Sequence, residues 1–183
     1  MQTRMMAGDL SGAGGQNGAA TGSLAAKMLA GENGARIAMI ETGGWDTHSA
    51  QRGRLNAQLR GLDQMIAAIK AGLGADWSNT VVLVATEFGR TVAPNGTGGT
   101  DHGQASAAML LGGAVGGGKV VADWPGLSQP ALYEGRDLKP TTDLDALIAG
   151  ALAQHYGLEP ARVMATLFPE SRGRAIIKPL ILA

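Results

Sequence analysis

Apolar and polar positions change period along the chain, and the changes lay out its elements. From about residue 50 to 73, Leu55, Leu59, Leu62, Ile66, Ile69 and Leu73 recur at steps of three and four, the spacing of one helical face. Gly61 falls inside that helix and weakens it without ending it. Two runs of another kind flank it: "ARIAMIE" (35–41) and "TVVLVA" (80–85) are short, β-rich and bounded by turn residues, as buried strands are. Strand, helix and strand over 35–85 predict a right-handed crossover joining two parallel strands. "SLAAKMLA" predicts a short helix over 23–30, closed by Gly31 and Gly34. Further on, "SAAMLLGG" (106–113) predicts a third strand, and "GGGKVVADWPGL" a tight turn into a short fourth. Pro140 precedes a helix in "TTDLDALIAGALAQHYG", with Thr142 and Asp145 as a capping box and Gly157 as C-cap. Pro160 opens another, "PARVMATLF", ended by Pro169, and the tail "AIIKPLILA" is apolar enough to require cover.

Residues 1–22, rich in Gly, Ala and Ser with little periodicity, read as a flexible lead-in, and 23–183 as a single α/β domain. A chain of this length can bury about 70% of its unfolded surface. Lys plus Arg equals Asp plus Glu at 15 each, so no net field draws the protein to nucleic acid or an anionic membrane. No run reaches the roughly 18 apolar residues of a membrane span, and the start shows no signal-peptide core. The compartment is left open. Cys is absent, so any metal must be held by oxygen and imidazole ligands.

That restriction gives weight to three polar clusters: "GGWDTH" after the first predicted strand, "TEFGR" after the second, and "GTDHG" before the third. In open α/β sheets sites form at the carboxyl ends of parallel strands, which would bring Asp46, His48, Glu87 and Arg90 to one rim. Asp101 and His102 join them only if the third strand starts at that rim and runs antiparallel. Asp, Glu and His together suit zinc, manganese or a similar divalent ion, and Arg90 can fork onto a tetrahedral oxyanion. Each residue also has a plainer reading. Asp46 could cap the next helix, Glu87 and Arg90 could form an ordinary ion pair, and His102 could be a surface loop residue. Against those readings, His48 and His102 are two of 3 histidines and both lie beside an Asp at a strand end. His155 has no such company and reads as structural; Trp45 reads as a lid on the turn.

The stretches "GGWDTHSAQ", "TEFGRT", "GTDHG" followed by "LLGGAVGGGKVV", and "LKPTTDLDALIAG" together resemble the DUF1501 family of the alkaline phosphatase and sulfatase superfamily, over about residues 24 to 170. The resemblance implies an α/β sandwich around a largely parallel sheet and a metal-dependent hydrolase of phosphate or sulfate esters. It implies that Asp46, His48 and His102 hold one metal, zinc before manganese, calcium or magnesium. Glu87 takes the place of a second-site Asp ligand, but Phe88 stands where that site's His would be. Arg90 and Asp101 are implied to face the anion of a small ester or polysaccharide substrate. The superfamily's first strand, early Asp ligand and nucleophile find no counterpart in residues 1–34, so no nucleophile is assigned. The expectation is a C-terminal portion of a longer fold, incomplete at its N-terminus, from a parent that export to the periplasm would suit. Its exposed sheet edge would favour self-association. The alternative is a non-catalytic, metal-stabilised binding or accessory domain.

Overall fold

The computed structural model describes residues 17–171 and Ile181. The tail "AIIKPLILA", apart from Ile181, and residues 1–16 of the lead-in lie outside the described residues. The chain divides into two compact units, Met1–Trp77 with Pro94–Asp101, and Ser78–Ala93 with His102–Ala183.

The first unit is built on two helices, α1 (Gly18–Leu29) and α2 (Gln51–Leu73). Helix α1 begins inside the predicted lead-in, because Asn17 supplies an N-cap whose side chain accepts from Ala20 N. A Cβ on Gly18 would strike the Gly61 carbonyl, one on Gly22 the Met65 carbonyl, and one on Gly72 the Ala26 side chain. Contacts therefore advance together along both helices, which run side by side in the same direction. Small residues four apart on α1 form the ridge that α2 approaches. The buried face of α2 is accordingly Gly61, Met65, Ile69 and Leu73, rotated from the predicted leucine stripe, and Leu59 stays exposed. Ala25 and Ala26 complete the core, with Leu29, Ile40 and Trp77 packed on it.

Between the helices, residues 35–47 form no strand, contrary to the buried strand predicted over 35–41. Ile37 is 67% exposed and Met39 88%. Alternating β-rich residues set which way side chains face; a strand needs in addition a neighbour that accepts its backbone hydrogen bonds. Ile40, pointing the other way, is the residue that reaches the helical core.

The second unit carries β1 (Val82–Val84), β2 (Gly89–Arg90), β3 (His102–Gly103) and β4 (Met109–Leu111), then α3 (Leu144–Tyr156) and α4 (Pro160–Leu167). Strand β1 pairs antiparallel with β4, Val82 opposite Leu111 and Val84 opposite Met109, the direction expected for the third strand. Strand β2 pairs antiparallel with β3, Arg90 opposite His102. The described strands thus form two antiparallel pairs in a mixed α/β chain, and the largely parallel sheet is not among them. The predicted fourth strand is also absent: residues 119–126 are irregular, and Val120 is 96% exposed.

Helix α3 is capped by Asp143, not Thr142: its carboxylate accepts from Asp145 N and Ala146 N. Gly157 closes the helix in the left-handed conformation, φ 63°, as predicted. Pro160 opens α4 behind a Glu159 cap, and Ala146, Ala149 and Met164 bury the contact between these helices. Asp137 is buried, with Arg136 Nη2 donating to Oδ2 at 3.1 Å. Arg136 Nε lies 2.8 Å from Asp137 Oδ1, an ion-pair contact without the alignment of a hydrogen bond.

Candidate metal centre

The segment 46–48 leads into α2, and along extended backbone alternate side chains share a side. Thr47 turns inward and is buried, its Oγ1 donating to Gln51 Oε1 at 2.9 Å. Asp46 and His48 face the other way and meet, Asp46 Oδ1 lying 3.0 Å from His48 Nε2. Trp45 Nε1 donates to Thr42 Oγ1 at 2.9 Å, a bond three residues back along the same segment. The capping reading of Asp46 fails, because the N-cap of α2 is Ala50, in the left-handed region at φ 47° and with no side-chain cap bond.

What holds Ala50 in that conformation is the loop Pro94–Asp101 of the same unit. Ala50 N donates to Thr97 O at 3.2 Å, Gln51 N to Gly98 O at 2.9 Å, and Thr100 N to Thr47 O at 3.4 Å. Thr97 Oγ1 donates to His48 O at 2.6 Å, and Thr100 Oγ1 to Gln51 Oε1 at 2.8 Å. Gly99 lies so close that a Cβ there would strike the His48 carbonyl. The loop delivers Asp101, whose Oδ1 is 3.1 Å from His48 Nδ1 and accepts from Asn95 Nδ2 at 3.0 Å.

His48 therefore has a carboxylate oxygen at each ring nitrogen. A neutral imidazole has one N–H, so a donor can meet only one of the two carboxylates. The other contact sets a lone pair against an anion unless the ring is doubly protonated or a cation lies between them. A ring nitrogen backed by a carboxylate, with its second nitrogen presented beside an acid, is how metal-bound histidines are held.

Within the first unit the exposed side chains of Asp46 and His48 offer an oxygen and a nitrogen ligand side by side. His102 follows Asp101 by one peptide bond and belongs to the second unit.

In the second unit the His102 ring stacks on Phe88, centroids 4.8 Å apart and planes at 19°. Arg90 Cζ lies 4.9 Å from the centre of the Phe88 ring. Arg90 thus joins a stack that ends on His102. Glu87 sits on an exposed bend after β1, on the wall of a cleft of about 960 Å³ that also includes Gln104, Ser106 and Lys119. His155 packs edge-on against its neighbour Tyr156, ring centroids 4.7 Å apart.

Gln51, Asn95, Thr97 and Thr100 are the site residues that sequence reasoning missed. "APNGTGGTDHG" marks a turn plainly, and Asn before Gly is a turn signal, but nothing local says which backbone groups that turn will grip.

A family model described as "Protein of unknown function (DUF1501)" matches residues 1–168. No curated protein and no solved structure matches the chain.

Proposed function

The chain belongs to the DUF1501 family, and on that premise we propose that it holds a divalent cation on Asp46, His48 and His102 and serves the hydrolysis of phosphate or sulfate esters, as a domain of the alkaline phosphatase and sulfatase type. The observation that carries this reading is His48 standing between two carboxylates, Asp46 at one ring nitrogen and Asp101 at the other. The cation, zinc before manganese, calcium or magnesium, would polarise the ester and lower the cost of charge developing on its oxygens. Asp46 and the two imidazoles would hold it, Asp101 would brace His48 from behind, and Phe88 would fix the plane of His102. Arg90, stacked on that same phenyl ring, is the fork for the anionic group of a small ester or a charged polysaccharide.

One observation favours a second reading, a metal-stabilised binding domain without chemistry of its own. Phe88, an apolar residue that cannot ligate, stacks on His102, and the resemblance puts it in the place of the second metal's His. The threonine hydroxyls around His48 are engaged as well, Thr47 and Thr100 with Gln51 and Thr97 with the His48 carbonyl.

Hydrolysis of aryl phosphate and aryl sulfate esters, assayed with zinc and with manganese, decides between them. Metal-dependent turnover that disappears in His102→Ala supports the hydrolase. A protein that binds the metal stoichiometrically and turns over neither ester supports the binding domain.

A further inference from the structure

We propose that Asn95 is a positioning residue for this centre, fixing the tautomer and pose of His48 through Asp101; the inference rests on the cation reading above. The amide of Asn95 has only one orientation open to it. Its Oδ1 accepts from Thr97 N and Gly99 N, both at 3.0 Å. Both donors are backbone N–H groups that cannot turn away, so flipping the amide would set donor against donor. Nδ2 is therefore committed to the other side, where it donates to His48 O at 2.9 Å and Asp101 Oδ1 at 3.0 Å.

One side chain thus grips the backbone of His48 and the carboxylate facing its ring. Asp101 Oδ1, held by the Asn95 donor, lies 3.1 Å from His48 Nδ1 and can act there only as an acceptor. Asp46 Oδ1, 3.0 Å from Nε2, competes for the single proton of the neutral ring. The carboxylate whose direction Asn95 fixes takes it, which puts the proton on Nδ1 and leaves the Nε2 lone pair for a cation. Without the amide, Asp101 keeps its charge but loses its fixed direction, and the ring is free to exchange tautomers.

Two readouts test this. The first is nitrogen NMR of the metal-free protein with its imidazoles neutral, where His48 is expected as the Nδ1–H tautomer in the wild type and as a mixture in Asn95→Ala. A wild-type ring protonated on Nε2 overturns the proposal without any variant. The second is zinc affinity, measured by competition with a chromophoric chelator, for Asn95→Ala, Asp101→Ala and the double variant. Each single change is expected to weaken zinc about 10- to 100-fold, the usual cost of losing an outer-shell partner. The double variant is expected to fall no more than about 3-fold below Asp101→Ala, because Asn95 acts through that residue. Losses that add, or a folded Asn95→Ala that binds zinc as the wild type does, overturn it. Asn95→Ser keeps an oxygen for the loop N–H groups and lacks the two donors; it takes the same measurements if the alanine variant does not fold. Failure of the wild type to bind zinc would sink the cation reading, while the tautomer result would still decide the role of Asn95.

Discussion

Between Asp46 and Asp101, His48 meets more acceptors than a neutral ring has protons to give, and its surroundings keep it there. Gly99 shows how tightly. Its α-hydrogen side faces the His48 carbonyl so closely that a methyl group cannot be placed without moving one backbone or the other. Gly99→Ala is expected to destabilise the protein by about 1–3 kcal/mol, the range for a forced insertion into packed structure. It should also weaken zinc, because the loop that shifts carries Asp101. Chemical denaturation and a zinc titration of the variant check both, and an unchanged midpoint would show the contact to be slack. Asp46, His48 and His102 were legible as candidates because an Asp beside a His at the edge of a β-rich run is uncommon, and the lack of Cys left no softer ligands. Asn95 was not. Its function depends on which N–H groups, two and four residues on, turn toward it, and on a carbonyl 47 residues away.

Among the elements, the helices show which part of a pattern carries structural information. Helix α2 ends at Leu73 and begins one residue from the predicted start, since length and period define a helix locally. Its buried face was not legible, because that face is chosen by α1, whose Gly18, Gly22 and Ala26 offer a ridge of small residues. The wide leucine stripe lost to the place where backbones can approach. Gly18→Ala tests this: alanine is favoured over glycine by about 1 kcal/mol in a helix, yet the added methyl would meet the Gly61 carbonyl. A lowered thermal midpoint is expected, and a raised one would mean that propensity outweighs the contact. Strands were harder to read for a related reason. Residues 82–84 found an antiparallel partner in 109–111, whereas 35–41, of similar composition, forms no strand among the described residues. Composition sets the readiness to extend; pairing depends on residues far along the chain.

For the whole molecule, family membership was legible from four ordered motifs, while the layered parallel sheet that the resemblance implied was not found among the described residues. A cation held by residues 46, 48 and 102, as proposed, would link binding to stability, since the unfolded chain does not hold distant groups together. Zinc at 100 times its dissociation constant should add about 2.7 kcal/mol to the folded state. The most direct test is calorimetric titration of zinc into the metal-free wild type, His48→Ala and His102→Ala, with the fold of each variant verified by circular dichroism. A single saturable site in the wild type that is lost in both folded variants is the predicted result; no binding by the wild type, or equal binding by all three, would contradict it.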